Sequence, residues 1–240
     1  MKILLKGRFL NDIKPLLIKK GFELVTENPD LIITYGGDGT LLGAEREYPG
    51  IPKLPIRDSR TAFLCPNHTY DQLFDDLENQ KLSTKELIKI SGKIGDKEII
   101  GINDIFIHNS IKVSAIRYRI WIDNKLYFNE AAGDCFGVAT PHGSTAYFRS
   151  ITKCVFRVGL GMAFSNSREK IDNIIVPIDA VIKVQLLRGP AFMVADNDPK
   201  VIELTTGDIF TISTSSEKAV IHGLDMFMCP QCRKLRHLKI

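Results

Sequence analysis

The stretch Ile32-Ile33-Thr34-Tyr35-Gly36-Gly37-Asp38-Gly39-Thr40 constrains this chain more than any other, because an apolar run breaks into glycines around a single carboxylate. An apolar run bounded by glycines reads as a buried strand that ends in a tight turn. The Thr40-to-Arg46 stretch that follows can open a helix. Asp38 then sits at the carboxyl end of a strand, where ligands bind in open α/β sheets. Glycine has no Cβ, so Gly36, Gly37 and Gly39 let backbone N–H groups approach an anion, and the helix N-terminus behind them adds roughly half a positive charge. The turn therefore reads as a phosphate site, with Thr40 at its helix side. It lacks the Gly-Lys-Ser/Thr ending of a P-loop, so any catalytic lysine has to come from elsewhere.

The rhythm around the turn is β-α-β-β-α. Residues 2–6 alternate as a first strand, and Asn11 or Asp12 can cap a helix whose Ile13, Leu16 and Leu17 share a face before Gly21. Strands at 22–25, 31–33 and 53–57 follow, and Thr69-Tyr70-Asp71-Gln72 has the pattern of a capping box ahead of Leu73, Phe74 and Leu77. From Lys85 the period changes to strict alternation. Gly95-Asp96 and Asp123-Asn124 mark turns, Ile116, Tyr118, Ile120 and Ile122 fall on one face, and further strands are expected at 174–176, 181–187, 191–195, 201–204, 208–214 and 219–222. The expected architecture is an N-terminal Rossmann-like α/β domain over 1–84 and a C-terminal all-β sandwich over 85–223. The tail, 224–240, is expected to return to the first domain.

Composition sets the outer bounds. A chain of 240 residues, 44% hydrophobic and 25% charged, matches a soluble globular protein with a core of its own. The longest apolar runs are far too short for a membrane span, and the start at Met1 lacks a signal-peptide core, so a cytoplasmic protein without membrane contact is expected. A net charge of +4 with no basic block interleaved with aromatics gives no nucleic-acid face. Five cysteines, an odd number, argue against a disulfide framework. Cys65, Cys135 and Cys154 read as small buried hydrophobes. Cys229-Pro230-Gln231-Cys232 has the spacing of half a zinc site or of a redox pair. No second pair lies near it in the sequence, with His237 a lone candidate, so an ordinary thiol pair is expected and no metal ligand is assigned.

The second chemical stretch is Gly133-Asp134-Cys135-Phe136-Gly137-Val138-Ala139-Thr140-Pro141-His142-Gly143-Ser144-Thr145-Ala146-Tyr147. Its small residues can approach phosphates and adenine closely, and Tyr147 offers a stacking face. The strand–Gly-Gly-Asp-Gly-Thr–helix unit resembles the signature of a kinase superfamily that includes NAD kinases, diacylglycerol and sphingosine kinases and, more distantly, 6-phosphofructokinases. The longer motif is similar to that of the NAD kinases, and the resemblance covers roughly residues 30–220.

That resemblance implies an enzyme that moves the γ-phosphoryl group of ATP to the adenosine-ribose 2′-hydroxyl of NAD, with Mg²⁺ or another divalent ion. It implies that Asp38 is catalytic and that Gly39 contacts substrate. In Ile102-Asn103-Asp104-Ile105, the pair Asn103 and Asp104 matches the family's polar pair at a strand end. Asp134 matches an aspartate that meets the nicotinamide half of NAD. His142, Gly143, Ser144, Thr145, Ala146, Tyr147 and Ser150 match the nucleotide-binding stretch, and Asp196 matches the family's late Asp-Gly turn. NAD and ATP are the expected partners, and a homo-oligomer, dimer or tetramer, is the expected assembly.

Departures from the family pattern bear on the acceptor. Arg57-Asp58-Ser59-Arg60-Thr61-Ala62-Phe63-Leu64 has serine and alanine at the family's glycine places, Cys135 replaces a glycine, and Phe148-Arg149-Ser150-Ile151-Thr152-Lys153 replaces a run of small residues. Arg149 and Lys153 are accordingly expected to influence acceptor choice. Two other readings stand beside the leading one: a kinase of this fold acting on another nucleoside, sugar or lipid, and a non-catalytic dinucleotide-binding sensor.

Overall fold

The structure, a computed structural model, describes residues 1–58, 65–111 and 113–232. Ser59 to Leu64, which include part of the altered loop, and the tail from 233 with His237 lie outside the described residues. The chain divides into two compact units, Met1–Leu87 with Lys218–Ile240, and Ile88–Glu217.

The first unit is an α/β sheet built as the apolar runs suggest. Strand β1 (Lys2–Gly7) leads through a 3-10 turn, Leu10–Asp12, to helix α1 (Lys14–Lys19). Then come β2 (Glu23–Leu24), β3 (Leu31–Tyr35), α2 (Asp38–Glu47), β4 (Lys53–Ile56) and α3 (Tyr70–Glu78). The strands run in the order β2-β1-β3-β4 and are all parallel. Every residue of β3 and of β4 is buried, as a parallel strand covered on both faces requires. Ile3, Ile13, Leu17, Ile33, Leu54 and Phe74 form its core.

Two local expectations change here. Asn11 and Asp12 fall in the 3-10 turn, so Ile13 precedes α1 without a side-chain cap and Pro15 provides the helix start instead. The capping box is half formed. Thr69 accepts from the Gln72 N–H at 3.2 Å, but the Gln72 amide turns to Asp76.

The second unit is a β-sandwich. Its strands are β5 (Thr84–Ile94), whose first residues belong to the first unit, then β6 (Lys97–Gly101), β7 (Asp104–Asn109), β8 (Ile116–Ile122), β9 (Lys125–Gly133) and β10 (Cys135–Ala139). After the short helix α4 (Tyr147–Thr152) come β11 (Leu160–Ser165), β12 (Ile174–Val176), β13 (Ile182–Arg188), β14 (Ala191–Ala195), β15 (Ile202–Leu204) and β16 (Ile209–His222). The runs at 208–214 and 219–222 are one strand rather than two, because the polar Ser215-Ser216-Glu217 between them keeps the extended backbone. One antiparallel sheet has the order β12-β11-β10-β7-β14-β15, and β16-β13-β8-β9 pair antiparallel in the other. Their inner faces share a single apolar layer that includes Ile105, Phe136, Met193, Tyr118, Ile120 and Val184. At the β8–β9 hairpin, Asp123 and Asn124 both take positive φ, 50° and 62°, as a type I′ turn demands.

In the first unit a buried ion pair locks α2 to the sheet. Lys53 at the start of β4 is 0% exposed and Glu45 of α2 is 3% exposed, and the Lys53 ammonium donates to the Glu45 carboxylate and to the Tyr48 carbonyl. Removing one partner leaves the other charge buried without compensation. Lys53→Met is therefore expected to cost about 3–5 kcal/mol, and the double variant Lys53→Met/Glu45→Leu to recover most of it, as urea denaturation of the three proteins would show.

Candidate active site

The glycine turn lies where the carboxyl ends of β3 and β4 meet, and the Gly36 N–H donates to the Ile56 carbonyl at 2.8 Å. A Cβ on Gly36 would stand 2.4 Å from Thr40 Oγ1, so the turn closes onto its own helix only with glycine there. Gly37 is the N-cap of α2 in extended conformation, Asp38 is the first helical residue, and the Thr40 N–H returns to the Gly37 carbonyl at 3.0 Å. The turn opens on a cavity of about 480 Å³ lined by Tyr35, Gly36, Gly37, Gly39, Thr40, Arg8, Phe9 and Asp58.

Charge is arranged around this cavity. Arg8 follows β1, whose last residue Gly7 passes so close to the Tyr35 carbonyl that a Cβ would stand 2.2 Å from its oxygen. Arg57 follows β4 and pairs with Asp38, Nη2 to Oδ1, at 3.6 Å. Asp38 is about half exposed at 51%, whereas the Arg57 side chain is 13% exposed. The Arg57 guanidinium lies 3.8 Å from the Phe227 ring centroid, and its Nε donates to the Phe227 carbonyl at 3.3 Å. Tyr70 OH donates to the Arg57 carbonyl at 3.1 Å and meets Tyr35 OH at 3.0 Å. Arg8 and a helix N-terminus thus line the cavity, and Arg57 stands beside it on Asp38, an arrangement that can hold a polyphosphate next to an exposed carboxylate. The sequence reading passes over Arg8 and Phe9, and meets Arg57 and Asp58 only as departures from a family pattern. The signal present in the sequence is that Arg8 and Arg57 each follow a strand of the same parallel sheet.

In the second unit Asn103 and Asp104 are fixed by backbone latches. The Asp196 carboxylate accepts from the N–H groups of Ile102, Asn103 and Asp104 at 2.8, 2.7 and 3.1 Å. Asp196 is thereby a brace for this turn. Thr140 Oγ1 donates to the Ile102 carbonyl at 2.6 Å and accepts from the Gly143 N–H at 3.0 Å. Gly143 itself passes so close that a Cβ would stand 2.0 Å from the Asn103 carbonyl oxygen. Asn103 Oδ1 is buried with no hydrogen-bond partner among the described residues.

The long motif divides between structure and surface. Ser144 is buried and its hydroxyl lies between the Pro141 and Phe156 carbonyls at 2.8 and 3.0 Å. Thr145 and Ser150 donate to the carbonyls of His142 and Tyr147 at 3.3 and 2.7 Å. These hydroxyls hold the local turn. Ala146 and Tyr147 are exposed, and the Tyr147 ring packs edge-on to Phe106 at 4.5 Å and stacks on His108 at 5.8 Å. Asp134 is exposed, and its Oδ2 accepts from Asn166 at 2.8 Å. Arg149 and Lys153 are exposed, with Lys153 Nζ donating to the Ser150 carbonyl at the end of its own helix.

The face of β7 and β10 that carries Asp104, Phe106, His108 and Cys135 is electrostatically coupled. Burial raises the Asp104 carboxyl to about 8, with the Asp196 charge adding to it. Burial also raises the Cys135 thiol to about 11 and the Tyr147 phenol to about 12, and Asp104 pushes both further up. Desolvation lowers His108, so its ring is neutral at pH 7. His108 and Phe106 escape the sequence reading. Counting alternate residues from Asp104 along β7 finds both.

Among the cysteines, Cys154 is exposed rather than buried. Cys65 is buried but does not act as a plain hydrophobe, because it gathers with His68, Cys229 and Cys232.

The structure thus joins an α/β unit whose glycine turn opens on a cavity to a β-sandwich whose polar turn is held by backbone latches. The chain is similar to NAD kinases in both sequence and fold. It is 28% identical to the NAD kinase of Magnetococcus marinus over 236 residues, 91% of this chain and 77% of that protein. It is 27% identical to the NAD kinase of Lactobacillus delbrueckii subsp. bulgaricus over 175 residues, 68% of this chain and 65% of that protein. No family model matches the chain. The fold is that of an NAD kinase from Archaeoglobus fulgidus solved with ATP, at a TM-score of 0.78 and 19% identity over 98% of each chain. The yeast NADH kinase solved with NADH gives a TM-score of 0.70 at 17% identity over 84% of this chain and 66% of that one. The chain is thus similar in sequence to NAD kinases and carries their fold.

The raised Asp104 carboxyl makes a stability prediction. The unfolded chain loses this proton near the ordinary 3.8, while the native state keeps it to about 8. Between those values the native state binds the extra proton, so this group's contribution falls as pH rises from about 4 and levels off above about 8. Asp104→Asn is expected to exceed the native protein in stability by more than about 1 kcal/mol at pH 8, with the difference vanishing near pH 3. Urea unfolding at the two pH values measures it.

Proposed function

We propose that this protein is an NAD kinase that transfers the γ-phosphoryl group of ATP to the adenosine-ribose 2′-hydroxyl of NAD, giving NADP and ADP. The observation that carries the reading is the exposed Asp38 at the N-terminus of α2, paired with Arg57 and beside a cavity lined by Arg8 and the glycine turn. The first unit acts on the phosphates. Backbone N–H groups of the Gly36–Gly39 turn, the Thr40 hydroxyl and the two arginines hold the polyphosphate and stabilise the charge on the transferring group. Asp38 takes the proton of the acceptor hydroxyl as its oxygen attacks the γ-phosphorus. The bond from that phosphorus to the β,γ-bridging oxygen breaks, and ADP leaves.

Magnesium fits the donor set, since Asp38 and Asp58 offer the hard carboxylate oxygens this ion takes with substrate phosphates, and it would neutralise charge on those phosphates. The second unit acts on the dinucleotide. Asn103 offers its buried Oδ1, unpartnered among the described residues, to a ribose hydroxyl or amide N–H, the protonated Asp104 offers a donor, and Tyr147 offers an exposed ring for stacking. Asp134 and the backbone around His142 to Ala146 complete the contacts we assign.

Cytoplasmic placement belongs to the same proposal. It is supported by the free state of all five cysteines, while among the described residues no helix is long and apolar enough to cross a membrane. We also propose a homo-oligomer, supported by the exposed Val155, Val158 and Ile175 beside the edge strand β12.

Asp38→Asn keeps the shape of the turn and removes the charge. Turnover should fall by at least roughly 10²-fold, NAD affinity should persist, and stability should change by no more than about 1 kcal/mol, as at exposed positions. Near-full turnover in this variant would remove Asp38 from the chemistry and sink the mechanism.

A further inference from the structure

A second group of ligating side chains lies in the first unit and has no part in the phosphate site. Cys65 and His68 stand in the loop ahead of α3. Cys229 and Cys232 stand in the tail past α5 (Leu224–Phe227). Their four ligand atoms lie within 4.8 Å of one another. His68 Nδ1 is 3.4 Å from Cys65 Sγ and 3.4 Å from Cys232 Sγ. Cys65 and Cys232 are buried, and His68 and Cys229 are half-buried.

Zinc at about 2.3 Å from sulfur and 2.0–2.1 Å from nitrogen, in a tetrahedron, separates its ligand atoms by roughly 3.6–3.8 Å. The four atoms therefore already stand near the corners of such a site. Cys₃His is a donor set of closed structural zinc sites. An iron–sulfur cluster takes four cysteines, or two cysteines and two histidines, around an inorganic core, so this set suits a single ion. The backbone points the same way. The Cys65 N–H donates to Cys232 Sγ at 3.3 Å. N–H groups aimed at sulfur stabilise a thiolate, the form that binds metal.

We propose that Cys65, His68, Cys229 and Cys232 bind one Zn²⁺ in a tetrahedral site that fastens the tail to the loop ahead of α3. The pattern is Cys-x-x-His joined to Cys-x-x-Cys, and its halves are about 160 residues apart in the chain. On binding, each of the three thiols gives its proton to solvent and each sulfur forms a bond to zinc, while His68 binds as the neutral ring. The ion sits next to the phosphate cavity's support. Phe227, two residues before Cys229, carries the Arg57 guanidinium on its ring and carbonyl, and Arg57 pairs with Asp38.

Metal analysis of the untagged full chain, purified without chelator, tests the site. About one zinc per chain is expected. Cobalt exchanged into the reduced protein should give thiolate-to-cobalt charge-transfer bands and the d–d bands of a tetrahedral ion. Cys232→Ser should lose both the zinc and the bands, and Cys154→Ser, which changes an exposed cysteine outside the cluster, should keep them. Chelation should lower the melting temperature by more than about 5 °C. If Cys232→Ser does not fold, cobalt uptake by the native chain decides alone. A reduced native protein that holds no zinc and takes up no cobalt overturns the proposal, and so does a Cys232→Ser protein that keeps its full complement.

Discussion

The position of the glycine turn depends on the buried pair of Lys53 and Glu45. A ten-residue helix presents its N-terminus usefully only when the rest of it is fixed, and α2 is about 15 Å long. Lys53 at the head of β4 holds the far turn of that helix through Glu45 and the Tyr48 carbonyl, with both charges buried. Breaking such a pair is costly, and a rigid helix transmits that fixity to its other end. There Gly37 and Asp38 start the helix, and the Gly36 N–H ties the turn to the end of β4. Arg57 directly follows the strand that begins with Lys53, so one ion pair sets both the helix dipole and the cation that meets Asp38.

The second unit fixes its polar turn through backbone groups. A single carboxylate, Asp196, takes three consecutive N–H groups from Ile102 to Asp104, and the Gly143 backbone presses on the Asn103 carbonyl where no Cβ fits. Backbone held this tightly leaves the Asn103 and Asp104 side chains to be shaped by their surroundings. Asp104 is driven toward its protonated form by burial and by Asp196, which turns a carboxylate into a hydrogen-bond donor near neutral pH.

What could be read in the sequence follows the range of the interaction. The glycine turn is legible because its cause is local: Gly36 must clear Thr40, four residues on. The sandwich is legible because alternation along β8 decides which side chains meet the other sheet. The hydroxyls of Ser144, Thr145 and Ser150 donate to neighbouring carbonyls, contacts that residue type alone does not report. The Arg57–Asp38 contact and the meeting of Cys65 and His68 with Cys229 and Cys232 stay hidden, because strand order and the path of the tail create them. No spacing rule along the chain reports a neighbour about 160 residues away.

The central claim is that the exposed aspartate and two arginines at one end of a parallel sheet serve phosphoryl transfer to a dinucleotide. The most direct measurement is the mass and phosphorus spectrum of the product formed from NAD, ATP and magnesium, run beside a panel of nucleosides, sugars and lipids. The account predicts NADP with the new phosphate on the adenosine-ribose 2′-oxygen, and stoichiometric ADP. A product formed only from another acceptor, or NAD bound and never phosphorylated, contradicts it.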